Sequence, residues 1–165
     1  MDPQKHSLPI RMLVVDDDPI ASAVIRKQLE LAFPHATVHI KNEPIIIPGY
    51  HVYLLDNDFD GKYMAGNLVR EARTIEPSSL IVALSTTLDL QTLNQMVNDG
   101  CNAVFDKQNP EDSLQAKQVI TNYISILQEA SSLQNQSSVS RLIVSVGRLL
   151  GAWNQRLVSS HASKS

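Results

Sequence analysis

Five short apolar runs alternate with longer segments of helical period, and this alternation restricts the fold more than any other feature of the chain. The runs are Arg11 to Val15, Thr37 to Ile40, Val52 to Leu55, Leu80 to Leu84 and Asn102 to Phe105. Between and after them, helical spacing predicts helices over Pro19 to Ala32, Met64 to Ile75, Leu90 to Val97 and Pro110 to Gln128. In the first helix we expect Ile20, Val24, Ile25, Leu29 and Leu31 on the buried side; in the second, Leu68, Val69, Ala72 and Ile75. In the fourth, Leu114, Ile120, Ile124 and Leu127 are expected to face inward. Such a pattern predicts an α/β, doubly wound, five-stranded parallel sheet covered by helices. Right-handed crossovers then bring every strand's C-terminal end to one edge, where open α/β sheets carry their sites.

Composition excludes several other classes. At 165 residues, 43% hydrophobic, the chain fits one domain plus an appended element. One cysteine, Cys101, rules out an internal disulfide framework, and the first residues lack the pattern of a secretory signal, so a cytoplasmic location is expected. No apolar run reaches the roughly 20 residues that span a bilayer. The five histidines, His6, His35, His39, His51 and His161, have no ligand spacing. A net charge of -3 gives no general attraction to nucleic acid, and no direct nucleic-acid partner is expected.

The residues expected at the carboxyl edge carry the chemistry. They are Asp16 and Asp17 after the first strand, Asp56 after the third, Ser85 and Thr86 after the fourth, and Lys107 after the fifth. Three carboxylates brought together repel one another unless a hard divalent cation sits among them, and Mg²⁺ is suited to carboxylates, waters and a phosphate. A lysine and a hydroxyl at the same edge supply the positive charge and the donor that a phosphorylated carboxylate needs. Taken singly, each residue could be a turn or cap former, and the Asp16 to Pro19 stretch could be a helix N-cap. Four strand ends each supplying part of one phosphoryl-transfer site is the less ordinary coincidence.

The stretches MLVVDDDP, LLDND, IVALST and NAVFDK resemble the acidic pair, phosphoacceptor, hydroxyl and lysine motifs of the receiver domain of two-component response regulators. The resemblance covers residues 8–128 and implies the flavodoxin-like strand order 2-1-3-4-5. It also implies that Asp56 accepts a phosphoryl group from a histidine kinase or histidine phosphotransfer protein. Asp16 and Asp17 would hold Mg²⁺ with Asp56, Asp58 would add its main-chain carbonyl, and Ser85, Thr86 and Lys107 would meet the phosphoryl oxygens. Such a protein is a switch with at most slow self-dephosphorylation. One alternative is a degenerate receiver acting as an unphosphorylated interaction module; another is a phosphatase of the haloacid-dehalogenase type, with Asp56 as nucleophile. That family resemblance would put the nucleophile on the first strand and an acidic pair after the lysine, whereas here the pair comes first. Reading Asp56 as the start of an EF-hand loop fails, because the twelfth position is Asn67.

Departures from the receiver pattern concern mechanism. Gln108 follows Lys107 where receivers usually have a cis-linked proline, so a trans bond and a differently placed lysine are expected. Val104 stands where the aromatic switch usually lies, and Phe105 is expected on the opposite face. The segment after Asp56 looks about two residues longer than usual. Lys41 to His51, with two prolines, predicts an irregular link in place of a helix.

Beyond Gln128 we expect a polar linker (129–138), an amphipathic helix (139–158) and a short tail (159–165). That helix would place Val139, Leu142, Ile143, Val146, Leu149, Leu150, Trp153 and Leu157 on one stripe. Too few residues remain for a winged-helix or helix-turn-helix domain. The stripe could pack on the chain's own receiver, on a second copy, or on a membrane surface through its basic face; a homodimer is favoured, on the premise that helices already cover both sheet faces fully.

Overall fold

The computed structural model describes residues 8–86 and 89–132. In chain order the elements are β1 (Arg11–Val15), α1 (Pro19–Ala32), β2 (Thr37–Lys41), β3 (Val52–Asp56), β4 (Asp58–Phe59), β5 (Lys62–Tyr63), α2 (Ala65–Ile75), β6 (Leu80–Ser85), α3 (Leu90–Asn98), β7 (Ala103–Asp106) and α4 (Pro110–Ser132). Five strands form one parallel sheet in the order β2-β1-β3-β6-β7. Counting only these strands, the order is the expected 2-1-3-4-5. The tail helix and the linker beyond Ser132 lie outside the described residues. Because α4 continues through Ser132, residues 129–132 of the expected linker are helical.

Strand alternation divides the interior into two cores. Met12, Val14, Val52, Leu54, Val82, Leu84 and Phe105 face α1 and α4. Leu13, Val15, Tyr53, Leu55, Ile81, Ala83 and Val104 face α2, α3 and the link after β2. Burial on both faces explains why the central strands read as nearly continuous apolar runs. It also puts Val104 and Phe105 on opposite faces, as alternation requires. The link after β2 is irregular, as expected, and Ile46 and Tyr50 from it close the second core. Cys101 is a buried core residue whose thiol donates to the Ala103 carbonyl at 3.0 Å.

Helix termini follow local chemistry. Asp18 caps α1, its carboxylate accepting from the backbone N–H of Ile20 at 2.8 Å and Ala21 at 3.1 Å. Asp89 caps α3 by accepting from Thr92 N–H at 2.8 Å. Gly100, at φ +106°, turns the chain out of α3 in a conformation open to glycine.

Expectations about the faces of three helices are corrected. Ile20, Val24 and Leu31 are 78%, 52% and 72% exposed, whereas Leu29 and Ser22 are buried. At 3.6 residues per turn, positions 20, 24 and 31 share one face, and positions 22, 25 and 29 share another roughly 150° away. The expected buried stripe therefore merged two opposed faces, of which only one can meet the sheet. Ser22 helps fix the choice, since its hydroxyl accepts from Asn42 Nδ2 at 3.2 Å. Leu114 on α4 is likewise 69% exposed, because α4 docks through Ala116, Val119, Ile120, Tyr123 and Leu127. Ile75, at the end of α2, is 38% exposed.

Candidate functional site: an acidic edge closed by a lysine

The carboxyl ends of β1, β3, β6 and β7 meet at one edge, and the residues named from the sequence sit there. Asp16 follows β1, Asp56 ends β3, and both are buried; Asp17 is half-buried beside them. One carboxylate oxygen from each of Asp16, Asp17 and Asp56 lies within 4.8 Å of the others. Lys107 follows β7 and reaches across the sheet, its Nζ donating to Asp16 Oδ2 at 2.7 Å and pairing with Asp56 Oδ1 at 2.9 Å. No cis peptide bond occurs among the described residues, so Lys107 reaches both carboxylates from a trans Lys107–Gln108 linkage.

Backbone groups hold these side chains in place. Asp18 N–H donates to Asp16 Oδ1 at 3.0 Å, and Asn42 Nδ2 donates to the Asp16 carbonyl at 2.7 Å. The lysine loop is tied down at several points. Lys107 N–H donates to the Ser85 carbonyl at 2.9 Å, Gln108 N–H to Asp106 Oδ1 at 2.8 Å, and Asp106 N–H to Asp112 Oδ2 at 2.8 Å. Asp112 is thus committed to the loop that presents the lysine.

Ser85 is buried as the last residue of β6, and Thr86 beside it is exposed. Asp58 is exposed, and its carboxylate accepts from Gly61 N–H at 2.9 Å within a hairpin; the clustered side chains are those of Asp16, Asp17 and Asp56. That β4–β5 hairpin was not foreseen from the sequence. Asp60 and Gly61 form its turn at φ +50° and +74°, the left-handed conformations an Asp-Gly hairpin adopts. Its turn brings Asp60 N–H to Asp17 Oδ2 at 2.9 Å, adding a backbone donor to the site. The Asp-Gly pair was the available sequence signal, obscured because the flanking strands have two residues each.

Burial pushes the Asp56 carboxyl up, against the opposing pull of Lys107. Burial alone would lower the Lys107 ammonium, but its bonds to Asp16 and Asp56 outweigh this and hold it above its ordinary value. Three carboxylates against one ammonium leave two negative charges at the edge. This donor set, oxygen-only and doubly negative in excess, fits a hard divalent cation such as Mg²⁺.

A parallel sheet in this order, with an acidic pair after the first strand, an aspartate on the third and a lysine after the fifth, defines a receiver-type fold. Comparison with solved structures agrees. A CheY-like response regulator receiver domain protein from Methanospirillum hungatei is 24% identical over 75% of this chain and 99% of that one, with a TM-score of 0.59. A response regulator from Thermotoga maritima is 23% identical over 72% of this chain and 99% of that one, at a TM-score of 0.58. The response regulator DrrB from the same organism is 14% identical over 72% of this chain, at a TM-score of 0.60, and the match spans 54% of that chain. No protein-family model matches the sequence, and no curated protein does. The chain therefore has the fold of a response-regulator receiver domain.

Proposed function

We propose that the protein is a phosphorylation-dependent signalling switch in which Asp56 accepts a phosphoryl group in the presence of Mg²⁺. The observation that carries this reading is the uncompensated charge around Asp56: three carboxylates within 4.8 Å of one another, closed by one lysine. An Asp56 carboxylate oxygen attacks phosphorus, the nitrogen–phosphorus bond of a phosphohistidine breaks, and its electron pair returns to the imidazole. A histidine kinase or histidine phosphotransfer protein is the donor.

Asp16, Asp17 and Asp56 would hold the cation, with the Asp58 main-chain carbonyl beside them. When bound, it offsets the negative charge of the carboxylates and of the incoming phosphoryl oxygens. Lys107 already contacts Asp56 and is placed to pair with a phosphoryl oxygen. Ser85 and Thr86, on the neighbouring strand end, supply hydroxyl donors. Activity beyond slow self-dephosphorylation is not part of this reading.

The phosphatase reading is weakened by the lysine loop, where Asp112, one of the two acids after Lys107, is bonded to Asp106 N–H in the first turn of α4. Incubation with a small-molecule phosphodonor and Mg²⁺, followed by intact mass, tests the proposal. A phosphate adduct on the wild type and none on Asp56→Asn is expected. No adduct favours the unphosphorylated interaction module, and steady phosphate release from phosphomonoesters favours the phosphatase.

A further inference from the structure

On the sheet face covered by α1 and α4 the strand residues are buried, but the two helices stand apart. A groove of about 500 Å³ runs between the two helices, with Leu54, Leu84 and Phe105 of the sheet in its floor. Val24 and Ile25 of α1 and Ala116 and Ile120 of α4 line its sides, and Val24 is 52% exposed. An apolar groove of this kind marks a docking surface. The expectation of a homodimer rested on full helix cover of both faces; the strand residues of both faces are buried, while α1 and α4 leave this groove between them.

We propose that the groove is a docking site for the chain's own segment 139–157, which lies outside the described residues. Direction and reach both fit. Helices α1 and α4 each begin at the carboxyl edge of the sheet, and α4 carries the chain away from that edge to Ser132. Residues 133–138 can bridge about 20 Å, more than the 8–10 Å between packed helix axes. A helix over 139–157 is about 28 Å long, so on returning antiparallel to α4 it ends near the start of that helix.

The two parts of the chain also carry opposite net charge. Through Glu129 the chain has 10 basic and 17 acidic residues, a balance of -7, while Arg141, Arg148, Arg156 and Lys164 give the remainder +4. In this docking the apolar side of the segment would meet the groove and leave Arg141, Arg148 and Arg156 toward solvent. The upper end of the groove is lined by Lys107, Gln108 and Pro110, so the docked segment would brace the loop that presents the lysine. The docking itself does not depend on phosphorylation of Asp56.

Trp153 is the single tryptophan of the chain and reports on the proposal directly. In the full chain, acrylamide quenching of Trp153 should be at least threefold weaker than in an isolated 139–157 peptide, with light scattering showing a monomer. Val24→Asp and Gln28→Asp, both at exposed positions of the groove lining, should each raise quenching at least twofold. Ile45→Asp, exposed on the link after β2, should leave it unchanged. Full quenching in the wild type, or protection that Val24→Asp does not relieve, overturns the proposal. Protection that disappears on dilution together with a dimer assigns the segment to a second copy, and protection gained only with anionic vesicles assigns it to a membrane surface; either result also overturns it.

Discussion

The two ends of the sheet bury charge in opposite ways. At the amino end, the Arg73 side chain donates to the carbonyls of Gly100 at 2.9 Å, Pro77 at 2.6 Å and Ser79 at 2.9 Å, and to Asn102 Oδ1 at 2.7 Å. Each donor there has an acceptor, and the group pins α2 to the loops beneath it. At the carboxyl end, one ammonium is set against three carboxylates. Buried polar groups that are fully matched hold a fold together, whereas an excess of buried charge costs stability. The contrast separates an arginine matched within the fold from an edge left with unmatched charge.

Substitutions should widen this contrast. Lys107→Ala removes the cation that pairs with both Asp16 and Asp56 and should cost about 3 to 5 kcal/mol, the usual penalty for orphaning a buried charge. Millimolar Mg²⁺ should restore part of that loss, as read by urea unfolding with and without metal. Arg73→Ala leaves several carbonyls without their donor and should cost about 3 kcal/mol, with no recovery on adding Mg²⁺. Metal rescue of both variants, or of neither, would erase the distinction between the two ends.

A smaller change of opposite sign is expected at Asp56. Its carboxyl is pushed above the ordinary value by burial, so the unfolded chain releases this proton at lower pH than the folded one. Stability tied to the protonated form is complete below the unfolded pKa and is lost as pH rises through the folded pKa. At neutral pH without metal, Asp56→Asn should therefore raise the thermal midpoint, by less than either alanine substitution lowers it. A fall in the midpoint would contradict the excess of charge.

The smallest effect belongs to His51 at the amino end. Burial lowers its pKa, and its Nδ1 accepts from Arg11 N–H at 3.1 Å. The unfolded chain binds this proton first as pH falls, so stability should decline with acidification from about pH 6.5, the ordinary histidine value. His51→Gln should flatten that decline in urea midpoints measured from neutral pH downward; an unchanged slope would assign it to other groups.

Much of this arrangement was legible in the sequence because it depends on periods. Alternation placed the five strands, and the polar residues ending them had to gather at one edge once the crossovers were right-handed. Asp16, Asp17, Asp56 and Lys107 therefore came together as expected. What escaped was phase and turn chemistry. The apolar residues of α1 fit two faces, and the hydrogen bond between Asn42 and Ser22, 20 positions apart, marks the one that docks. The β4–β5 hairpin is too short to carry a pattern, so the backbone donor of Asp60 to Asp17 could be found only from the folded chain.

The claim that matters most is that the carboxyl edge lacks one divalent cation's worth of positive charge. Calorimetric titration of Mg²⁺ into the full chain tests it most directly. One ion per chain should bind to the wild type, and binding should be lost in Asp17→Ala, whose half-buried side chain can be removed without opening either core. Absence of binding to the wild type, or equal binding by Asp17→Ala, would contradict the account.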